Sequence, residues 1–181
     1  MTAAGAKGVS PMPAVTGIAV REARDSDSTD LIELIGGCYA EYPGCVLDAD
    51  GEEAWLRAPA SAYARWRGRL WVAERDGKVV ASGGIRPSGP GVVGVHNVYV
   101  AAPARRQGLA TRLLALIEEE ARSRDVDWVE LWSDTRFVDA HRLYARLGYV
   151  RSGGFRELRD LSNSVEYHFV KLLAKAAVTP G

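Results

Sequence analysis

The stretch Val98-Tyr-Val-Ala-Ala-Pro-Ala-Arg-Arg-Gln-Gly-Leu-Ala-Thr111 constrains the fold more than any other. A β-branched run ends at Val100, Pro103 sits in a short loop, and a helix opens near Gln107 or Gly108. Beyond it, Leu109, Leu113, Leu116, Ile117 and Ala121 recur at the period of a helix with one apolar face. A strand feeding straight into such a helix belongs to a sheet with helices packed on it. The junction also leaves backbone N–H groups unbonded at the helix start, where the dipole favours an anion. Gly108 allows close backbone approach, small Ala110 leaves room beside it, and Arg105 and Arg106 add positive charge. These parts suit a pyrophosphate. An ordinary strand-to-helix loop reads much the same, because short glycine motifs recur by chance.

The flanking pattern extends the architecture. Residues 16–23 read as a first strand. Asp25-Ser-Asp-Ser is rich in helix-capping residues and precedes Leu31, Ile32, Leu34, Ile35 and Cys38, an apolar stripe that stops near Tyr42-Pro43-Gly44. Short helices are expected around 52–57 and 60–67. Residues 70–75 and 79–85 are strand-like and joined by Asp76-Gly77, a hairpin signal. A turn over 87–91 leads to a third strand over 92–100, completing an antiparallel meander. Residues 125–132 carry large side chains on both faces, as a central strand does. Ala140, Leu143, Tyr144 and Leu147 mark another helix, stopped at Gly148, and the chain closes on a hairpin around 162–164. The run Glu118 to Glu120 partly faces water. The expectation is an α/β (α+β mixed) domain: a mostly antiparallel mixed sheet of about seven strands with helices on both faces. It occupies 15–172, between a disordered tail over 1–14 and a frayed end over 173–181.

Composition narrows the function. The 181 residues are 47% apolar and 25% charged, enough for one domain with a core that needs no disulfide or structural metal. Lys plus Arg and Asp plus Glu both number 23, which argues against a non-specific nucleic-acid binder. Cys38 and Cys45 match neither a redox pair nor a zinc set, and His96, His141 and His168 are scattered. No metal site is expected. The absence of an apolar run of membrane-spanning length argues against a membrane protein, and reduced cysteines point to a cytoplasmic one.

Arg105-x-x-Gly108-x-Ala110 resembles the acetyl-CoA-binding signature of the GNAT-type N-acetyltransferases, (Arg or Gln)-x-x-Gly-x-(Gly or Ala). Ala140-His-Arg-Leu-Tyr144-Ala-Arg-Leu-Gly148-Tyr149 resembles the family's second segment, A-x-x-L-Y-x-x-x-G-(F/Y). The element order is also the family's, and the resemblance covers about residues 16–171. One position departs. Many members carry Asn three residues before the Ala of the second segment, and here it is Phe137. Asp134 and Thr135 are expected to cap that helix instead.

The resemblance implies acetyl transfer from acetyl-CoA, as co-substrate, to the primary amine of a small molecule by direct attack. Val98, Tyr99 and Val100 would pair with the pantetheine arm through their backbone. Arg105, Arg106, Gln107, Gly108, Leu109, Ala110 and Thr111 would hold the pyrophosphate, mainly through N–H groups. Tyr144 matches the family's general acid. For the base, His96 stands where some members place a histidine, and Glu130 or Glu41 acting through water are alternatives. The acceptor would be met by the first-helix region and the last hairpin, where Glu41, Tyr42, Asp48, Glu166 and Tyr167 are candidates. His141 reads as a helix-surface residue and His168 as a strand residue on the acceptor side. Trp55, Trp66, Trp71, Trp128 and Trp132 read as core fillers. A homodimer through the last strands is an option the resemblance allows. Two other readings stay open: a protein lysine or N-terminal acetyltransferase, and a non-catalytic acyl-CoA sensor.

Overall fold

The computed structural model describes residues 17–173, so the expected tail over 1–14 and all but the first residue of the one over 173–181 lie outside the described residues. In chain order the elements are β1 (Ile18–Glu22), α1 (Ser28–Tyr39), α2 (Pro59–Arg65), β2 (Arg69–Arg75), β3 (Lys78–Gly89), β4 (Val92–Val100), α3 (Leu109–Ser123), β5 (Trp128–Asp134), α4 (Val138–Arg146), β6 (Val150–Glu157) and β7 (Val165–Leu172). The Asp76-Gly77 turn takes φ of 51° and 75°, the double left-handed conformation a two-residue hairpin favours. The strands form one sheet in the order β1-β2-β3-β4-β5-β7-β6, antiparallel everywhere except between β4 and β5. That parallel step is spanned by α3, as a crossover connection requires. Among the described residues no helix is long and apolar enough to cross a membrane.

The two faces of the sheet bury different helices. Leu113, Leu114 and Ile117 of α3 pack on Val93, Val95, Val129 and Leu131, with Tyr144 of α4 and Phe169 of β7 beside them. On the other face, Leu31 and Ile35 of α1 and Tyr63 of α2 pack on Leu70, Val72 and Val79. Each fully buried aliphatic side chain contributes about 1.5–3 kcal/mol.

Several boundaries differ from the sequence reading. β3 runs through Pro87 to Gly89, into the expected turn. The β2–β3 ladder begins only at Arg69 opposite Ile85, so Pro87 lies where β3 has lost that neighbour and a missing N–H costs little. β5 begins at Trp128 instead of 125, because Asp125 takes a φ of 53° outside the extended region. Leu173, placed in the frayed end from sequence, is buried in the core. Glu118 is 7% exposed and accepts two hydrogen bonds from Lys171 Nζ at 2.7 and 2.8 Å, so it faces β7 more than water. Trp128 is 44% exposed and fills no core.

Candidate active site

The site begins with a fault in the sheet. β4 pairs with β5 only from Val92 opposite Trp128 to Val95 opposite Leu131, although β4 continues to Val100 and β5 to Asp134. The cause is an extra residue in β4. Ser82 faces Tyr99 and Gly84 faces His96, so three steps of β4 match two of β3. Asn97 absorbs the excess at a φ of 57°, and its Nδ2 donates to Tyr63 Oη at 2.6 Å. Such a bulge bends its strand. The ends of β4 and β5 therefore splay, and a cleft of about 810 Å³ opens where the next rungs would lie.

At one end of the cleft, β4 gives way through a 3-10 turn (Ala102–Ala104) to α3. Arg106 and Gly108 take φ of 61° and 76°, folding the loop so that its amides converge. The first bond of α3 runs from Arg112 N to Gly108 O at 2.9 Å. The amides of Arg106, Gln107, Gly108, Leu109, Ala110 and Thr111 donate to no protein group among the described residues. Arg106, Gly108, Leu109, Ala110 and Thr111 line the cleft, and nothing lies within 4 Å of where a Gly108 side chain would begin. Six free donors on an open, positively polarised helix start fit a pyrophosphate.

The two signature arginines differ. Arg105 is engaged: Nη1 and Nη2 donate to Glu41 at 2.7 and 2.5 Å, and Nε donates to Val100 O at 3.0 Å. It straps the loop to the residues after α1, and it also lines the cleft. The Gln107 side chain turns away to Pro103 O and Arg75 and lines no part of the cleft. Arg142 and Arg146 of α4 do line it, and sequence reasoning missed both because α4 was read for its apolar stripe.

In the middle of the cleft stands Tyr144, 6% exposed, its ring 5.9 Å from Tyr149 and 5.7 Å from Phe169. Burial pushes its hydroxyl up to about 12, so it is a protonated donor at neutral pH. Val98, Tyr99 and Val100 line the opposite wall. The Asp134 carboxylate accepts from Arg136 N at 2.8 Å and from its guanidinium at 2.6 Å, and does not cap α4. The N-cap is Phe137, without a side-chain cap bond, and its ring lies 4.8 Å from that of Tyr42.

The other expected residues are only partly assembled. His96 lines the cleft, but its Nε2 accepts from Arg86 Nε at 3.0 Å. Burial, then the charges of Arg86 and Arg156, pull it down to about 3, so it has little capacity to take a proton. Glu130 lies off the cleft, bonded to Ser88 and, at 3.0 Å, to His168 Nε2. Tyr42 lines the cleft, whereas Glu41 is held by Arg105 and Tyr167 lies under Arg151, 3.6 Å from the ring centre. Asp48 accepts from Gly51 N and Glu52 N and shapes its own loop, and Glu166 lines the cleft paired to Arg156 at 2.7 Å. His141 is no surface residue: its ring packs on Tyr167 and Phe169, and Nε2 meets Ser133 Oγ at 3.2 Å. Trp132 is a wall of the cleft with Arg156 over its ring.

Behind the bulge a second cavity of about 310 Å³ adjoins the first. It shares Tyr39, Glu52, Glu53, His96, Asn97 and Tyr99 with the cleft and adds Ile35, Trp55, Trp66 and Arg86. The sequence reading passed over Glu53, Trp55 and Trp66 as parts of a site, since nothing in a short helix marks it as a wall. Among the described residues no group of His, Cys, Asp or Glu is arranged to hold a metal ion.

This geometry agrees with comparisons to known proteins. The sequence model of the Acetyltransferase (GNAT) family matches residues 30–149, which include both signature segments, and the chain belongs to that family. An acetyltransferase of Agrobacterium fabrum, Atu2258, is 34% identical over 120 residues, covering 62% of this chain and 85% of its own length. The aminoalkylphosphonate N-acetyltransferase of Salmonella typhimurium is 40% identical over 58 residues, 32% of this chain and 38% of its own. A Salmonella typhimurium acetyltransferase solved with its cofactor acetyl-CoA superposes with a TM-score of 0.67 at 18% identity, covering 90% of this chain and 98% of that one. The chain is thus an acyltransferase that uses acetyl-CoA.

Proposed function

We propose that the protein moves the acetyl group of acetyl-CoA to a primary amine of a small molecule by direct attack. The observation that carries this reading is the run of six unbonded amides, Arg106 to Thr111, opening onto a splayed sheet edge with a buried tyrosine at its centre. The amides hold the pyrophosphate, with Arg106 and Arg146 among the arginines that line the same cleft. The edge of Val98, Tyr99 and Val100 receives the pantetheine amides as an added strand would. That brings the thioester to the gap between β4 and β5. Attack forms the C–N bond and breaks the C–S bond, and Tyr144, protonated at neutral pH, gives its proton to the departing thiolate. A small-molecule acceptor accords with the name of the aminoalkylphosphonate N-acetyltransferase relative.

Two measurements test the reading. Acetyl-CoA raises the melting temperature, by an amount that grows with its concentration. Thiol release from acetyl-CoA then accelerates with a suitable amine. No thermal shift at saturating acetyl-CoA would remove the cofactor site and the function with it.

A further inference from the structure

The splay gives the cleft two sides. With its pyrophosphate on the α3 amides and its pantetheine arm on Val98 to Val100, acetyl-CoA would bring its acetyl group to the gap between β4 and β5. An acceptor must meet it there, and the cavity behind the bulge opens onto that point through Tyr39, Glu53, His96, Asn97 and Tyr99. The inner wall of this cavity is aromatic. The Trp55 and Trp66 rings lie 6.3 Å apart at 58°, braced by Tyr63 at 5.7 and 5.5 Å, and Ile35 adds an aliphatic patch. The outer face of Trp66 is covered by the Arg86 guanidinium at 4.9 Å, which already supplies a cation there. A second ammonium deep in the cavity would meet Arg86, whereas a flat apolar group would not.

The ionisable groups at the junction are not equivalent. The His96 lone pair is spent on Arg86. Tyr39 and Tyr99 share a 3.1 Å hydrogen bond, and burial holds both phenols protonated. Glu52 is exposed, whereas Glu53 is half-buried. Glu53 Oε2 accepts from Asp48 N at 2.9 Å, which fixes the carboxylate, while Oε1 makes no hydrogen bond among the described residues. Burial raises Glu53 above the usual carboxylate range, and Glu52, Asp48 and Asp160 push the same way against the pull of the Asp48 amide. A carboxylate so placed both attracts an ammonium and accepts its proton.

We propose that the acceptor is a primary amine carrying a flat apolar group, seated in the Trp55–Trp66 cavity with its ammonium on Glu53, which takes the proton before attack. The proposal rests on the acetyl-transfer reading above and deepens it. The proton passes from nitrogen to Glu53 Oε1, the freed nitrogen bonds to the acetyl carbon, sulfur leaves with the electron pair of the C–S bond, Tyr144 protonates it, and the second nitrogen proton, lost as the amide forms, returns to the Tyr144 phenolate. Glu53 then loses its proton to solvent.

Thiol release is measured with acetyl-CoA and four probes: 2-phenylethylamine, 1,4-diaminobutane, 2-aminoethylphosphonate and an aminoglycoside. The expected order places 2-phenylethylamine at least tenfold ahead in kcat/KM. Glu53→Gln lowers kcat for it about a hundredfold at pH 7. The deficit narrows above pH 9, where more of the amine is already neutral, and Glu53→Asp restores part of the rate. Trp55→Leu raises KM for 2-phenylethylamine with little change in kcat. The acetyl-CoA thermal shift stays at the wild-type value in every variant, which also certifies folding. Preference for the diamine, the phosphonate or the aminoglycoside overturns the proposal, as does a Glu53→Gln enzyme with unchanged rate and pH profile. Turnover of none of the four, with a normal thermal shift, overturns it while leaving the cofactor site intact. Absence of the shift in the wild type fails the acetyltransferase reading itself.

Discussion

A charged side chain at a binding site can be a ligand or a strut, and Arg105 is the strut. Its guanidinium donates to Glu41 and the Val100 carbonyl, so it shapes the loop that presents the amides. Glu41→Gln is therefore expected to change kcat by about twofold or less, and to destabilise by under about 1 kcal/mol, since the pair is partly exposed. Steady-state kinetics and denaturant titration check both; a hundredfold loss of kcat would return Glu41 to the chemistry. Tyr144→Phe, in contrast, is expected to lower kcat by about 10²-fold with acetyl-CoA affinity nearly unchanged. Both tyrosine and arginine were legible in the signature segments as residue types at a spacing. What the spacing could not carry is commitment. Nothing in Arg105-Arg106 distinguishes the arginine bound to Glu41 from the one left open, because the partner lies 64 positions away. His96 is a similar case: its place on β4 was readable, and the Arg86 bond that disarms it was not.

At the scale of elements, the sequence was informative wherever period and punctuation agreed. The Asp76-Gly77 hairpin, the apolar stripe of α3 and the helix stop at Gly148 all reflect local rules, and all have the expected form. The bulge at Asn97 and the splay were illegible, because Val92–Val100 reads as an uninterrupted strand. Only the pairing of three steps of β4 against two of β3 reveals them. The cavity walls of Glu53, Trp55 and Trp66 come from the short helical turns after α1, which were readable as helices but not as the wall of a site. Gly108 supports one prediction here. Its φ of 76° costs a residue with a side chain about 1–2 kcal/mol, so Gly108→Ala is expected to weaken acetyl-CoA binding more than tenfold by distorting the amide cradle. Calorimetric titration checks this; unchanged affinity would argue that the loop is not the anion site. Arg136 supports another. It pairs with Asp134, which is 5% exposed, and reaches Ser162 O, so it ties β5 to the β6–β7 loop. Arg136→Ala leaves a buried carboxylate with neutral donors only, such as the amide of residue 136, and is expected to cost about 3 kcal/mol in denaturant unfolding.

For the whole molecule, a formal charge of zero hides a sorted arrangement. Arg106, Arg142 and Arg146 line the cleft, with Arg142 paired to Asp139, while Glu52 and Glu53 are shared between the cleft and the rear cavity. The balanced total argues against a non-specific polyanion binder and is compatible with a local anion site. Stability also has a direction with pH. His96 is held near 3 in the fold, below the 6.5 of a free imidazole. Between those values the unfolded chain binds the extra proton, so stability is full above pH 6.5 and declines as the pH falls toward 3. His96→Gln is expected to flatten that decline in chemical denaturation measured from pH 7 to 4. An unaltered slope would place the titrating group elsewhere.

The four rungs between Val92–Val95 and Trp128–Leu131 have a mechanical consequence. They act as the pin of a hinge whose two leaves are the sheet halves β1–β4 and β5–β7-β6. Beyond the pin, each leaf offers a bare edge, and a pantetheine chain lying between them works as a splint. Amides of Val98 to Val100 and of Trp132 to Asp134 are therefore expected to exchange their hydrogens more slowly together when acetyl-CoA is bound.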